Sequence, residues 1–163
     1  MITDRQQRIN HLEVLTMRLA WNSDFGCYTR NGFEHMKWPE IQASARYIIY
    51  FDIDGMKGLN DELGKLEVNA RIKQALSTLR ATDYVFAGQY FSGDELVIVM
   101  CEPPDGTVGD PKGLIERLAG AFKEVGIKAT YGFDQVKGAD FVENVEPVAE
   151  LVHEYKKTRG TSR

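Results

Sequence analysis

The chain has 163 residues, of which 43% are hydrophobic and 27% are charged, and its formal net charge at pH 7 is -4. This length and composition are typical of one globular domain whose core needs no metal or disulfide to hold it together. The acidic balance argues against a general binder of nucleic acid or of membrane surfaces, because such a protein presents a basic face.

The N-terminal stretch and the cysteines indicate a cytoplasmic protein. The stretch MITDRQQRIN is polar and charged, unlike a signal peptide. No apolar run reaches the roughly 18 residues that a membrane-spanning helix needs. Cys27 and Cys101 are far apart and form no CxxC pair, which favours two free thiols in a reducing cytosol over a disulfide.

The chain opens with a predicted helix over residues 4–20. Its apolar residues recur at helical spacing, and they are Ile9, Leu12, Leu15 and Leu19. Such a helix either packs on the domain and contacts a second copy, or leads into a sensor as a coiled coil, and its shortness favours the first arrangement. We therefore divide the chain into a helical lead-in, residues 1–21, and one domain, residues 22–163.

A loop, a helix and a buried strand come next. The loop WNSDFGCYTRNGF is rich in turn-forming residues. A helix follows over about residues 32–45, and Pro39 should kink or shorten it. The run YIIYFDI, residues 47–53, is almost continuously apolar with β-branched and aromatic members, which predicts a buried central strand. Gly55 and Gly58 mark the turn after this strand.

The second half of the chain alternates strands and helices. The predicted elements are a helix over 66–79, strands over 84–91 and 95–100, a helix over 114–125, a strand over 127–133 and a helix over 145–157. The two middle strands form a hairpin across SGD. Together with the first strand the order is βαββαβ. This order predicts an α+β fold of the ferredoxin-like or palm type, with a mixed, mostly antiparallel sheet, helices on one face, flanking helices and an extra N-terminal helix.

Four acidic side chains lie at the ends of two predicted strands. Asp52 and Asp54 close the first strand in FDID, and Asp94 and Glu95 lie in the hairpin segment FSGDEL. The βαββαβ order makes the two segments neighbours, so the carboxylates should converge. Converging carboxylates repel one another unless a cation holds them, and carboxylates with substrate phosphates are the ligands that Mg²⁺ prefers. A single aspartate in a turn is usually solvated, but the two pairs together favour a metal-dependent phosphoryl or nucleotidyl transfer site.

The histidines and tryptophans predict no further site. His11, His35 and His153 show no zinc-binding spacing and are interpreted as isolated, solvated helix residues. Trp21 and Trp38 flank the upstream loop and are interpreted as packing residues.

Two motifs resemble those of GGDEF domains, the diguanylate cyclase family. FDIDGMKGLND is similar to the family's DxDxFKxxND motif, and SGDEL stands where the GGDEF signature does. Weaker similarities, in NSDFGCYTRNGFEHM, ATYGFD and YKKTRG, extend the resemblance over residues 22–160. The resemblance implies that two GTP molecules, held on two facing domains of a homodimer, condense into cyclic di-GMP with release of pyrophosphate in the presence of Mg²⁺ or Mn²⁺. A sensor domain or partner would supply the input signal.

The same resemblance implies roles for the acids and their neighbours. Asp52, the backbone carbonyl of Ile53 and Asp94 match metal ligands, and Glu95 matches an acid beside the metal. Gly93 matches a glycine at which the backbone comes close to the nucleotide, where any side chain would block the approach.

Two asparagines match positions that bind the base. Asn60 matches the family asparagine that hydrogen-bonds guanine, and Asn69 stands where the family usually has an aspartate. A neutral amide loses the charge-assisted part of that hydrogen bond, so adenine-containing or mixed products stay open. Ser92 replaces the first glycine of the signature, which costs conformational freedom.

Basic residues complete the implied site. Lys57 would lie near phosphate, and Lys156 and Arg159 would grip the triphosphate. Arg80 and Asp83 resemble the family's RxxD inhibitory site, although an insertion before the signature predicts a lengthened strand. Three hypotheses stay open: an active diguanylate cyclase, a degenerate domain that binds GTP or cyclic di-GMP as a regulator, and a related palm-type cyclase that makes another cyclic oligonucleotide.

Overall fold

The computed structural model describes residues 2–91 and 93–159, so Met1, Ser92 and residues 160–163 lie outside the described residues. Its helices are α1 (Asp4–Ala20), α2 (Arg30–Gly32), α3 (Trp38–Ile41), α4 (Met56–Leu63), α5 (Lys65–Leu76), α6 (Pro111–Glu124) and α7 (Phe141–Thr158). Its strands are β1 (Trp21–Asn22), β2 (Cys27–Tyr28), β3 (Ala45–Ile53), β4 (Val85–Gln89), β5 (Glu95–Cys101) and β6 (Ala129–Gln135).

The strands form one sheet in the order β1-β2-β4-β5-β3-β6. The pair β2–β4 is parallel, and the other four pairs are antiparallel. The elements from β3 to β6 follow the βαββαβ order, so the prediction of an α+β fold with a mixed, mostly antiparallel sheet is confirmed. Strand β3 lies between β5 and β6, as its continuous apolar sequence predicted.

Helices cover both faces of the sheet, so the prediction of helices on one face is wrong. Ile49, Phe51 and Ile53 pack with α5 and α6 in one core. Ile48 and Tyr50 pack with α3 and α7 in a second core on the opposite face. The physical reason is that β3 is apolar at successive positions, and a strand that is apolar on both faces needs a cover on each.

Helix α4 occupies a segment that was predicted to be a turn. Gly55 has a φ of 64° and turns the chain directly from β3 into this helix. Gly58, which was predicted to lie in a turn, is inside α4. Glycine adopts the left-handed conformation with little strain, which allows so abrupt a change of direction. The turn brings α4 close to the end of β3 and its acids.

The region predicted as one helix over residues 32–45 consists of short helical segments. Helix α2 continues into a π-helical turn over Phe33–Lys37, then into α3, and ends in a 3₁₀ turn over Gln42–Ser44. Pro39 lies in the first turn of α3, where a missing N–H is tolerated. Pro39 was predicted to kink or shorten the helix, and in the structure it lies where the π-helical turn gives way to α3.

Helix α1 leaves its apolar stripe exposed. Ala20 is the buried residue of this helix. The residues of the predicted stripe, Ile9, Leu12, Leu15 and Leu19, are all exposed. The prediction that α1 packs on the domain is therefore wrong for this stripe, while contact with a second copy stays a prediction. Within the described part of the chain, no helix has the length and apolar character to cross a bilayer.

Both cysteines are buried and free, and we expect them to be unreactive in the native protein. Burial raises the pKa of both thiols, that of Cys27 to about 12. Because the thiolate is the nucleophile, a disulfide reagent at about pH 8 should label neither Cys27 nor Cys101 until denaturant is added. Stoichiometric thiol titration with and without urea measures this, and rapid labelling of the native protein would contradict it.

Candidate functional site

Two buried acids face each other at the end of the central strands. Asp52 on β3 is directly opposite Glu95 on β5, and their exposed fractions are 0% and 1%. Residues opposite one another in a sheet project from the same face. Asp52 follows the alternation of Ile48 and Tyr50, so both acids face α7. Glu95 therefore begins β5, as the predicted strand over 95–100 has it, and is buried there.

Lys156 on α7 supplies a cation to these acids. Its Nζ lies 2.8 Å from Asp52 Oδ1 and 3.2 Å from Asp54 Oδ1, and it donates a hydrogen bond to the carbonyl of Ile53 at 3.1 Å. Only 4% of Lys156 is exposed. A buried carboxylate is tolerated when an opposite charge and hydrogen bonds compensate its lost hydration. Of the four acids predicted to converge, Asp52, Asp54 and Glu95 meet here, and the ammonium of Lys156 lies between Asp52 and Asp54.

His153 joins the same cluster from the preceding turn of α7. Its Nε2 lies 3.1 Å from Glu95 Oε1 and 3.7 Å from Asp52 Oδ2. The ligand atoms of these three side chains all lie within 4.8 Å of one another. The interpretation of His153 as an isolated, solvated residue is therefore wrong. The sequence spacing could have indicated this contact: His153 is three positions before Lys156, so the two side chains lie on the same face of the helix.

A cavity of about 520 Å³ is lined by residues next in sequence to these acids, Met56 and Lys57 after Asp54 and Asp94 before Glu95, but not by the cluster itself. Its lining consists of Phe25, Met56, Lys57, Asn60, Lys65, Asn69, Gly93 and Asp94. Five of these residues were predicted from the sequence to bind nucleotide or metal. The other three, Phe25, Met56 and Lys65, were not predicted to bind a ligand, since the upstream loop and the starts of α4 and α5 approach the cavity only through the fold.

Two amide oxygens in this lining have no hydrogen-bond partner within the described protein. They are Oδ1 of Asn60 and Oδ1 of Asn69, and both atoms are buried. A buried polar atom without a partner costs about 1–3 kcal/mol. Two such acceptors in one cavity wall are suited to a ligand that carries N–H donors.

Comparison with solved structures identifies the fold. A microbial GGDEF domain solved with cyclic di-GMP gives a TM-score of 0.71 at 15% identity, over 88% of this chain and 94% of that one. The chain has the fold of GGDEF domains. No protein-family model matches the sequence, and no curated protein matches it.

Two further GGDEF structures show the same fold over nearly the whole chain. The diguanylate cyclase SiaD of Pseudomonas aeruginosa, solved with its activator SiaC, gives a TM-score of 0.70 at 16% identity, and 97% of this chain matches 66% of SiaD. The coiled coil and GGDEF domain of DgcB from Caulobacter crescentus, solved with cyclic di-GMP, gives 0.65 at 17% identity, over 96% of this chain and 90% of that one. The chain thus spans just under two thirds of SiaD.

The GGDEF fold brings Asp94 and Gly93 next to the acids of β3. The N–H of Ile53 donates a hydrogen bond to the carbonyl of Asp94 at 2.7 Å. A Cβ added at Gly93 would meet only the ring of Phe25, at 3.6 Å. That distance is an ordinary contact, so the fold itself does not require glycine, and a methyl group would instead take up space at the cavity wall. Metal binding by Asp52 together with Asp94 stays a prediction.

Arg159 lies near the acids through a hydroxyl. It donates a hydrogen bond to Oγ1 of Thr130, and that hydroxyl donates to Asp54 Oδ1 at 2.9 Å. Arg159 also lines a separate cavity of about 300 Å³. It is therefore linked to Asp54 through Thr130, and its proposed grip on a triphosphate stays a prediction.

Arg80 and Asp83 lie apart from the acids in the GGDEF fold. Arg80 lines a separate cavity of about 200 Å³ with Trp21 and Tyr28, and Asp83 is exposed in the turn before β4. The insertion does not lengthen the strand, since β4 begins only at Val85. A turn precedes this strand, and in it Tyr84 has a φ of 63°. The variant signature residue Ser92 lies outside the described residues.

Proposed function

We propose that this domain binds GTP in the 520 Å³ cavity and, with a divalent cation, joins two GTP molecules into cyclic di-GMP. The observation that supports this function best is the cavity itself. It carries two unsatisfied amide acceptors in its wall and is lined by Asp94, the residue before the buried Glu95. Specific ligand sites combine concave, largely apolar walls with a few polar groups of this kind.

Different residues of the cavity lining would bind the base and the phosphates of a nucleotide. Asn60 and Asn69 would accept hydrogen bonds from the N–H groups of the base, and Phe25 offers an apolar surface beside them. Lys57 and Lys65 are exposed at the cavity and would attract the phosphates. Binding energy gained in this way would hold the α-phosphate near the acids.

The oxygen donors at the β3 end suit a divalent cation. Asp52 Oδ1 and the carbonyl of Ile53 already share one cationic partner, the ammonium of Lys156, so both oxygens point toward a common cation. Asp52, the carbonyl of Ile53 and Asp94 would hold Mg²⁺ or Mn²⁺, with Glu95 beside them. The bound ion would lower the pKa of the attacking 3′-hydroxyl and neutralise charge on the α-phosphate as pyrophosphate leaves.

The reaction joins two nucleotides, so we propose a homodimer in which each chain holds one GTP. The 3′-hydroxyl of each GTP attacks the α-phosphate of the other, forming two phosphodiester bonds and releasing two pyrophosphates. A cytoplasmic location and a sensor domain or partner that delivers the input stay predictions.

Asp94→Asn is expected to lower turnover of GTP by about 100-fold or more, because it removes a charge that acts in the transition state. We expect the Tm to stay within a few degrees of the unsubstituted protein, since Asp94 lies at the cavity and not in the core. The measurement is product formation from GTP and from ATP with Mg²⁺ or Mn²⁺, read by mass spectrometry.

Asp61→Asn is the matched control, because Asp61 is an exposed acid on α4 outside the cavity lining. It should leave turnover unchanged. Equal turnover in Asp94→Asn and in the unsubstituted protein would contradict the proposed role of Asp94. An adenine-containing product would point to the other cyclic oligonucleotide.

One observation favours a regulator as the second candidate. The ammonium of Lys156 contacts Asp52 Oδ1 and the Ile53 carbonyl, which are two of the three donors proposed for the metal. If this contact persists with nucleotide bound, the domain would bind GTP or cyclic di-GMP without turnover. Calorimetric binding of either nucleotide with no product after long incubation would establish this alternative.

A further inference from the structure

The cluster of Asp52, Glu95 and His153 has the donor set of a transition-metal site. We propose that these side chains bind one divalent first-row transition-metal ion, of the Zn²⁺ or Co²⁺ class, and that His153 is its nitrogen ligand. The resemblance to GGDEF domains implies no role for His153. The inference goes beyond the proposed function: it adds a second cation position at Oδ2 of Asp52, with its own ligands and metal class, and shares only Asp52 with the site proposed for Mg²⁺ or Mn²⁺.

The spacing of the donor atoms suits a single ion. Nitrogen and oxygen ligands lie about 2.0–2.2 Å from Zn²⁺ in tetrahedral geometry, so two ligands of one ion are separated by roughly 3.3 Å. Nε2 of His153 is 3.1 Å from Glu95 Oε1 and 3.7 Å from Asp52 Oδ2. With all three ligand atoms within 4.8 Å of one another, small side-chain movements place them around one ion.

Three rigid elements hold the donors in place. Asp52 and Glu95 are opposite one another on β3 and β5, and His153 contacts both from α7. The imidazole packs edge-on against the ring of Tyr50, with centroids 5.9 Å apart and an interplanar angle of 86°. Such contacts around a ligand restrict its orientation, which reduces the cost of ordering it when the metal binds.

The carboxylate of Asp52 presents its two oxygens to different neighbours. Lys156 contacts Oδ1 of Asp52, whereas His153 faces Oδ2. An ion bound at Oδ2 therefore leaves the ion pair with Lys156 intact.

The imidazole nitrogen determines which metals are preferred. Mg²⁺ favours oxygen ligands in octahedral geometry, whereas imidazole suits Zn²⁺ and other first-row transition metals. The side chain of His153 is 35% exposed, so this ligand of the proposed site is in contact with solvent.

The test is metal binding by the full chain in the absence of nucleotide. Co²⁺ is titrated into metal-free protein and followed by visible absorption, and Zn²⁺ and Mg²⁺ are titrated by calorimetry. We expect one Co²⁺ per chain. His153→Gln should weaken Co²⁺ and Zn²⁺ binding at least about tenfold and change Mg²⁺ binding less than about twofold. Glutamine keeps an N–H donor for Glu95 but lacks the imidazole nitrogen.

His35→Gln is the matched control. His35 is an exposed histidine that also lies beside a glutamate, 3.4 Å from Glu34 Oε2, and its substitution should leave all affinities unchanged. Circular dichroism of each variant verifies the fold. Co²⁺ binding of equal affinity in His153→Gln, or no Co²⁺ binding by the unsubstituted protein, would overturn the proposal and leave the His153–Glu95 contact as a hydrogen bond. Since the assay contains no nucleotide, its failure is distinguishable from a failure of GTP turnover.

Discussion

Lys156→Met is expected to lower the free energy of unfolding by about 3 kcal/mol or more in metal-free buffer. Methionine fills a similar volume, so the loss comes from charge. The substitution removes the ammonium that lies 2.8 Å from Asp52, whose exposed fraction is 0%. Removing one partner of a buried ion pair leaves the other charge without its compensation, which costs more than the pair itself contributes. Urea denaturation measures the change.

Two controls separate charge from packing at Lys156. Lys157→Met alters the neighbouring lysine, whose side chain is 76% exposed, and should change stability by no more than about 0.5 kcal/mol. The double variant Asp52→Asn with Lys156→Met should be more stable than Lys156→Met alone, because it no longer buries the Asp52 charge. If Lys156→Met unfolds at the same urea concentration as the unsubstituted protein, the ion pair does not support the fold.

Gly32→Ala is expected to destabilise the protein by about 2–3 kcal/mol through overpacking. A Cβ at this position would lie 2.5 Å from Cα and 2.7 Å from the carbonyl carbon of Ala20. Both are backbone atoms, so no side chain can move aside, and the junction of α1 with α2 must shift instead. Thermal and urea unfolding measure the loss.

Gly120→Ala is the control, and it is expected to raise the stability that Gly32→Ala lowers. Gly120 is an exposed glycine inside α6, and a Cβ there meets nothing within 4 Å. Alanine has the higher helix propensity, so this variant should gain up to about 1 kcal/mol. A stable Gly32→Ala variant would show that the close approach of α2 to Ala20 is not maintained in solution.

The sequence determined four of the six strands and the location of the acids, whereas β1 and β2 lie in the segment that was predicted to be a loop. YIIYFDI could be read as a buried strand because continuous apolar and β-branched residues leave few other arrangements. The hairpin that contains Asp94 followed from apolar runs on either side of a turn. Local chemistry decides such elements, so one sequence suffices to predict them. Helix α4 was missed because two glycines suggested a turn, and only the dihedral angles distinguish Gly55, which turns the chain, from Gly58, which lies within the helix.

Only the tertiary structure decided what surrounds the acids. The sequence placed Asp52 and Glu95 near one another, but the orientation of α7 determines that Lys156 and His153 both point at them. The resemblance assigned Lys156 to a triphosphate, whereas in the fold its ammonium contacts the strand-end carboxylates. The physical reason is that ion pairing and ligand geometry depend on distances of a few ångströms between residues about 60 to 100 positions apart, and no local sequence pattern encodes such distances.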